Sequence, residues 1–219
     1  MKPLFKDRLY AGEILSYSLS LPENSVIFAI PRGGVPVAYP VAVRHNLPMD
    51  IIVVRKLPIP WNPEAGFGAI TVDGTVFLNP DFENLIEPET INEVAKEVLG
   101  EVLRRNLIYR EGKGYKPLTG KTAVVIDDGF ASGFTAIAAS KFLKTLQPEK
   151  ILAIAPVAPT HTVERLKPYF DKVLVLHKSS QLPFAVASFY ENFPDLTDEE
   201  VLSYINDLKE KNLWWNDAV

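Results

Sequence analysis

Two adjacent carboxylates, Asp127 and Asp128, follow the apolar run 123–126 and precede a loop of small residues. Carboxylates accept hydrogen bonds and repel phosphate oxygens, so their natural partner here is a vicinal diol. Small residues let the backbone approach a ligand, and amides that open a helix near Thr135 carry a partial positive charge suited to phosphate. The stretch therefore predicts a sugar-phosphate site, with hydroxyls at the carboxylates and the phosphate at the loop.

The loop after the carboxylates supplies the expected phosphate contacts. Its residues are Gly129, Ala131, Ser132, Gly133, Phe134 and Thr135. As an alternative, the two carboxylates only end a strand and cap a helix, as aspartate often does. A cap needs a single carboxylate, so the pair followed by A-S-G-x-T favours a ligand site.

This stretch resembles the ribose-phosphate motif of the type I phosphoribosyltransferases, in which apolar residues lead to two acidic residues and an Ala-Thr-Gly-like loop ending in Thr. Ser132 stands where Thr is usual, and Phe134 stands where a small residue is common. The resemblance implies a transferase that binds 5-phosphoribosyl 1-diphosphate with Mg²⁺. It would transfer the phosphoribosyl group to a nitrogen acceptor, a nucleobase, with release of pyrophosphate, as in nucleotide salvage. Asp127 and Asp128 would hold the ribose hydroxyls and favour a cationic ribose ring.

A second turn, PRGG at 31–34, follows the apolar run 26–30. A further predicted strand, 50–56, ends in two cations that we expect at the same edge as Asp127. The turn could also be an ordinary connection with Arg32 in solvent. In the family that this chain resembles, the loop at this place holds pyrophosphate and often contains a non-proline cis peptide before glycine, which implies a strained or cis peptide at Arg32–Gly33.

The resemblance further implies a pyrophosphate site made by both segments. Its residues would be Arg32, Gly33, Gly34, Arg55 and Lys56. Magnesium would be held mainly through substrate oxygens and water, with no dedicated protein ligands. The three histidines of the chain do not have a metal-ligand spacing.

Strands alternate with helices along the chain, which predicts an α/β fold with a mostly parallel central sheet flanked by helices. Ligands of such sheets gather at the carboxyl ends of the strands. The predicted strands are 26–30, 50–56, 123–126, 151–155 and 172–176, and the predicted helices are 5–19, 35–44, 88–110, 135–146, one ending at 167, and 198–211. The charges along helix 88–110, including the i,i+4 pair Glu101 and Arg105, are expected to form a solvated face.

The segment 57–79 is expected to be a flexible loop and a β-hairpin. Residues 57–68 are rich in proline and glycine and lack periodicity, which predicts a long loop, whereas Asp73-Gly74 marks a hairpin between 67–72 and 75–79. The resemblance implies a lid that closes over the reacting groups. Trp61 and Glu64 in this lid could meet substrate, although Trp61 could equally pack the loop against the domain. The alternative is a rigid connector braced by proline.

The tail, 180–219, is expected to form a C-terminal helical hood or packing segment, with its helix opened by a capping box of Thr197 and Glu200. In the family that this chain resembles, a hood contacts the acceptor, so Phe189 and Tyr190 could stack on a planar base. They could equally be core residues that pin the last helix.

Composition bounds the function classes. The chain has 219 residues and is 47% apolar, which suits a single domain over 1–219. A net charge of −4 gives no basic footprint for nucleic acid, and no apolar run is long enough to span a bilayer. The absence of cysteine excludes disulfides and thiolate chemistry. The N-terminal stretch has no apolar leader, so we expect a cytoplasmic protein that acts on small molecules.

The resemblance also implies a homo-oligomer, since dimers are common in this family. Two other function classes stay open. One is a regulatory module that binds phosphoribosyl diphosphate without turnover. The other is a hydrolase that uses the same site on a related phosphosugar.

Overall fold

The computed structural model describes residues 3–82 and 85–217, apart from the side chains of Glu64 and Asp217. The strands are β1 (Ser25–Ala29), β2 (Met49–Ile51), β3 (Val54–Ile59), β4 (Asn62–Thr71), β5 (Val76–Leu78), β6 (Thr122–Ile126), β7 (Lys150–Pro159) and β8 (Lys172–Ser179). The helices are α1 (Arg8–Ser18), α2 (Gly34–His45), α3 (Pro88–Arg110), α4 (Phe134–Lys144), α5 (Thr160–Leu166) and α6 (Asp198–Glu210). Short 3-10 turns cover Lys167–Tyr169, Val186–Phe189 and Trp215–Asp217.

The central sheet has five parallel strands in the order β2-β1-β6-β7-β8. This confirms the predicted α/β class with a parallel sheet between helices. The strand order reverses between β1 and β6, because β1 pairs with β2 on one side and with β6 on the other. Ligands of open α/β sheets bind at such a switch point, outside the carboxyl ends of the strands. The loops after β1 and β6 therefore lie where a site is expected.

Both faces of this sheet are buried, which explains the continuous apolar runs of its strands. Along β1, Ile27 and Ala29 belong to a core shared with residues of α2, α3 and α6. Val26 and Phe28 belong to a second core shared with residues of α4 and α5. The two cores fix the sheet between helices, so the strand ends are held rigidly at one edge.

The prediction of one strand over 50–56 is wrong, because this stretch contributes to two sheets. β2 pairs in parallel with β1, and β3 then pairs antiparallel with β4 in a separate three-stranded sheet. Asp50, in β2, is held in the interior by Arg110, whose Nε donates to its Oδ1 at 2.8 Å. The apolar residues 51–54 are all buried, so hydrophobicity alone gives no sign of the transition.

The prediction of a long loop over 57–68 is also wrong. β3 and β4 form an antiparallel ladder from Val54↔Thr71 to Ile59↔Asn62, with the turn at 60–61. The register shifts on both sides of Pro58, and such irregularities accommodate proline while they break the alternation of side chains. The hairpin predicted at Asp73-Gly74 is confirmed by the pairing of β4 with β5. Flexibility of the segment 57–79 stays a prediction.

The C-terminal helix begins with the predicted capping box, in which Glu200 N donates to Thr197 Oγ1 and Thr197 N donates to Glu200 Oε2. α6 packs against α2 and α3. This packing places Asp198, the first residue of α6, beside the arginines of α3. Among the described residues, no helix is long and apolar enough to cross a membrane.

Candidate functional site

The loops after β1 and β6 lie against each other. A Cβ atom on Gly33 would be 2.0 Å from Asp128 Oδ2, and one on Gly34 would be 2.7 Å from Ile126 O. Neither position has room for a side chain, so the two glycines are what allow this approach. The structure thus brings the PRGG turn and the carboxylate pair together, as the sequence predicted.

The prediction of a cis peptide at Arg32–Gly33 is wrong by one bond. The non-proline cis peptide joins Pro31 to Arg32. Gly33 already has helical dihedral angles, with φ −62° and ψ −32°, and it precedes the first residue of α2. The turn is therefore complete earlier than predicted, and Gly34 N donates to Ile30 O at 2.9 Å.

The two carboxylates are largely removed from water and close to each other. Asp128 N donates to Asp127 Oδ1 at 2.8 Å. Burial raises the pKa of Asp127 well above its ordinary range, and the adjacent charge of Asp128 raises it further. Burial also raises the pKa of Asp128, although the Arg8 guanidinium opposes that rise. Carboxyl groups held in this way can accept hydrogen bonds from hydroxyl groups, and in their ionised form they stabilise a developing positive charge.

Arg8, which the sequence analysis missed, is the partner of Asp128. Its Nε donates to Asp128 Oδ2 at 2.8 Å, and its Nη1 donates to Pro194 O at 2.7 Å. Its guanidinium lies 3.6 Å from the ring centre of Phe193. One sequence signal existed, because a cation in the first turn of a helix is disfavoured by the helix dipole unless it has a partner elsewhere.

The loop 129–135, which is expected to bind phosphate, is supported by α5, which the sequence did not single out. Thr162 Oγ1 donates to Ala131 O at 2.6 Å, and Arg165 Nη1 donates to Ser132 O at 2.9 Å. Gly133 has φ +83°, a conformation that L side chains rarely adopt. These contacts hold the loop in one shape directly before α4, where backbone amides suit an anion.

Phe134, at a position where a small residue is common, has a packing role. Its side chain is buried, and its ring lies 5.9 Å from that of Phe77 on β5. It fills the space between α4 and the three-stranded sheet. Only its backbone amide is then expected to serve a phosphate.

A cleft of about 640 Å³ opens beside the carboxylate pair. Its lining combines residues from the end of β1, the PRGG turn, β3, β4, α3, the carboxylate pair and the first turn of α4: Ile30, Pro31, Val54, Arg55, Lys56, Pro58, Pro63, Glu97, Val98, Glu101, Arg105, Asp127 and Thr135. Arg55 and Lys56 therefore lie on the cleft that Asp127 lines, as expected. This volume is within the range of small-molecule sites.

One wall of the cleft comes from α3, so the prediction of a solvated face is wrong for Glu101 and Arg105. The predicted pair itself is present, with Arg105 Nε donating to Glu101 Oε1 at 2.7 Å. Arg104 bonds to Glu101 as well and lies 3.1 Å from Asp198 Oδ2. Asp198 also lies 3.6 Å from Arg32 Nη1. The helical periodicity could show that this face is polar, but not that it borders a site.

The two aromatic residues predicted to meet the acceptor are buried. Phe189 is 1% exposed, with its ring 5.2 Å from that of Phe184. Tyr190 packs on Phe5, and its hydroxyl donates to Asp128 O at 2.6 Å. Stacking on a base stays a prediction, and this packing favours the alternative that they are core residues. Tyr190 additionally supports the backbone of the carboxylate pair.

The turn between β3 and β4 carries Trp61, which is 69% exposed. Its neighbour Glu64, the other residue predicted to meet substrate, has a side chain outside the described part of the chain. Contact of either residue with substrate stays a prediction.

The fold and the site together define an α/β protein with a parallel sheet, in which the PRGG turn and the loop after the carboxylates lie at the switch point. The chain is 38% identical over 207 residues, 93% of its length, to proteins named "putative phosphoribosyl transferase" in the CDC 1551 and H37Rv strains of Mycobacterium tuberculosis. It spans 46%, about half, of the length of these relatives. The crystal structure of TT1426 from Thermus thermophilus is 31% identical, with a TM-score of 0.75 over 93% of this chain and 98% of that one.

No protein-family model matches the chain. Its relatives and its ribose-phosphate motif nevertheless agree. The sequence comparison confirms the resemblance to phosphoribosyltransferases over 93% of this chain. The homodimer implied by the resemblance and the cytoplasmic location expected from the N-terminal stretch stay predictions.

Proposed function

We propose that this protein is a phosphoribosyltransferase that binds 5-phosphoribosyl 1-diphosphate with magnesium and transfers the phosphoribosyl group to a nitrogen atom of a nucleobase. The close approach of Gly33 to Asp128 carries the proposal, because the PRGG turn and the carboxylate pair then lie together at one edge of the central sheet. A phosphoribosyl diphosphate presents a diol, a 5′-phosphate and a diphosphate within one small molecule. It can therefore meet Asp127 and Asp128, the loop 129–135 and the cations of the cleft together.

The reaction breaks the bond from ribose C1 to the diphosphate oxygen and forms a bond from C1 to the acceptor nitrogen. The diphosphate leaves with the electron pair, and the acceptor nitrogen gives up its proton. Positive charge develops on the ribose ring, which lies next to Asp127 and Asp128 in the proposed binding mode. Charges near a site of low dielectric interact more strongly than charges in water, so these carboxylates stabilise the ring without a covalent step.

The residues present fit a magnesium ion that is bound largely by substrate. Magnesium usually keeps several waters and binds one or two carboxylates together with substrate phosphates. Asp127 and Asp128 supply carboxylate oxygens beside the proposed diol. In the described part of the chain, no group of three or more His, Cys, Asp or Glu side chains could hold a metal. When bound, the ion would neutralise charge on the leaving diphosphate.

The diol assignment is tested by calorimetry with phosphoribosyl diphosphate and magnesium. The double variant Asp127→Asn with Asp128→Asn should lose binding while it stays folded, since both positions keep an acceptor oxygen of the same shape. A matched control removes two exposed carboxylates from α6, Glu199→Gln with Glu210→Gln, and should bind normally. Unchanged affinity of the first variant would sink the assignment.

Turnover is tested separately by pyrophosphate release with a panel of nucleobases. Release that depends on a nitrogen acceptor supports a transferase. Release without any acceptor would instead identify a hydrolase. Binding without release, across the whole panel, would favour a regulatory module.

A further inference from the structure

Three guanidinium groups converge on a single oxygen atom of the cleft wall. Glu101 Oε1 accepts from Arg105 Nε at 2.7 Å and from Arg104 Nη2 at 2.9 Å. Arg55 Nη1 lies 3.7 Å from the same oxygen. The three arginines come from α3 and β3, so the arrangement depends on the tertiary fold.

This geometry is that of an anion-binding site in which the Glu101 carboxylate takes the place of a more highly charged anion. A carboxylate carries one charge, whereas a terminal phosphate carries up to two and offers three oxygens to arginine forks. The cations remain in excess around Glu101, since Arg32 also reaches this cluster through Asp198. The positive charges are close enough to affect one another, since the pKa of Arg55 is lowered by burial and then by the nearby charge of Arg105.

The convergence point lies on the cleft of the proposed donor site. Glu101, Arg105 and Arg55 line that cleft together with Pro31 and Asp127. In the proposed binding mode the ribose lies at Asp127, and the 5′-phosphate extends to the loop before α4. The diphosphate leaves C1 on the other side of the sugar, towards the cations that follow β1 and open β3.

We infer that Glu101 competes with the terminal phosphate of the donor diphosphate for Arg55 and Arg105, an inference that rests on the proposed function. Arg55 and Arg105 bind the terminal phosphate, and the PRGG turn binds the phosphate attached to ribose. The site thereby selects a diphosphate over a monophosphate. After transfer, Glu101 again pairs with Arg55 and Arg105, and this competition promotes release of pyrophosphate.

The competition predicts opposite effects of two substitutions on the same helix. Calorimetry with inorganic pyrophosphate and magnesium should show binding weakened at least about tenfold in Arg105→Gln, through loss of a charge-assisted contact. Glu101→Gln should bind pyrophosphate more tightly, by about threefold to tenfold, because an anionic competitor is removed. Ribose 5-phosphate should bind both variants as it binds the wild type.

Controls separate binding from folding. Glu93→Gln removes the same charge from an exposed position two turns earlier on α3, and it should leave pyrophosphate affinity within about twofold. Thermal unfolding checks each variant, and Arg105→Lys and Arg55→Gln replace Arg105→Gln if that protein does not fold. Both should also weaken pyrophosphate binding.

The outcomes distinguish the inference from the proposed function. Glu101→Gln that binds pyrophosphate no better than the wild type overturns the competition, even where ribose 5-phosphate and the donor still bind. Wild-type protein that binds pyrophosphate through Arg105 but binds neither ribose 5-phosphate nor the donor overturns the proposed function, and the arginine cluster then stands as a diphosphate site. Wild-type protein that does not bind pyrophosphate overturns the inference.

Discussion

Arg8 Nε lies 2.8 Å from Asp128 Oδ2 and joins the first helix to the second carboxylate of the candidate site. The same guanidinium reaches Pro194 O in the C-terminal segment. Because Arg8 pairs directly with Asp128, the two adjacent carboxylates have different environments. Asp128 is oriented by a cation, whereas the pKa of Asp127 is raised by burial and by its negative neighbour.

Removal of Arg8 should therefore shift the titration of the site. Arg8→Met leaves Asp128 without its cation, so the pKa of Asp128 should rise and the acid limb of the kcat/KM profile should move to higher pH. Stability should fall by about 1–3 kcal/mol, as for other buried groups that lose a partner. Arg8→Lys should restore part of the profile. An acid limb that stays in place in Arg8→Met would show that Arg8 serves only packing.

Substitution of Gly33 should disturb the site directly. In Gly33→Ala the new Cβ would lie 2.0 Å from Asp128 Oδ2 and 3.2 Å from Arg8 Nε, so the carboxylate must move. Donor affinity measured by calorimetry should fall at least about tenfold, and stability should fall by about 1–3 kcal/mol.

The matched control is Gly100→Ala, inside α3. Apart from its chain neighbours and the nearby backbone of α3, no atom of the described residues lies within 4 Å of the added Cβ, so this change should stabilise the protein by about 0.5–1 kcal/mol. Full donor affinity in Gly33→Ala would contradict the proposed contact between the two loops.

Stability should depend on pH with opposite signs at Asp127 and Glu101. The pKa of Asp127 is raised, so the folded state holds its proton more tightly, and its contribution to stability falls as pH rises above 3.8. Asp127→Asn should therefore be more stable than the wild type at pH 7, and the gain should shrink towards pH 3.8. Urea unfolding at several pH values measures this difference. A variant that is less stable at pH 7 would contradict it.

Glu101 provides the contrast. Hydrogen bonds from Arg104, followed by Arg105, lower the pKa of Glu101 to about 2. Its contribution to stability is therefore present above 4.5 and is lost as pH falls towards 2. Glu101→Gln should be less stable than the wild type at pH 7, and the two proteins should converge at low pH. An equal difference at both ends of the range would exclude this linkage.

The buried pair of Arg110 and Asp50 should dominate stability away from the site. Arg110 Nε donates to Asp50 Oδ1 at 2.8 Å, and both side chains are fully buried. Asp50→Asn would leave an uncompensated cation and should cost about 3–5 kcal/mol in urea unfolding. The exposed pair of Glu164 and Lys167 is the control, since Glu164→Gln should cost less than about 1 kcal/mol. Similar costs for the two variants would contradict this difference.

The β3–β4 hairpin is predicted to close over the site when donor and magnesium bind. An exposed ribosyl cation would be captured by water, so a transferase gains from exclusion of solvent. Hydrogen exchange over residues 57–68 should slow on binding, and the fluorescence of Trp61, exposed at the tip, should change. The variant Trp61→Phe should lose this fluorescence change, which assigns the change to Trp61 and not to the other tryptophans. Equal exchange with and without bound ligand would refute closure and favour a braced connector.

Local patterns were sufficient to predict four of the five strands of the central sheet, β1, β6, β7 and β8, and the two loops at its switch point. Strands buried on both faces carry continuous apolar runs, and each run ends at a recognisable turn, PRGG after β1 and the carboxylate pair after β6. A loop that approaches an anion needs small residues in consecutive positions. Such signals lie within one short stretch of chain, so they can be read before the fold is known.

Contacts between distant segments could be found only in the folded chain. Arg8 meets Asp128 across 120 positions, and Glu101 on α3 meets Arg55 on β3. Helical periodicity shows which face of α3 is polar, but water and an anion cleft are equally compatible with a polar face. The uniformly apolar residues 51–54 likewise suit either sheet. Residue spacing encodes local geometry, whereas the partner of a long charged side chain is set by how the elements pack.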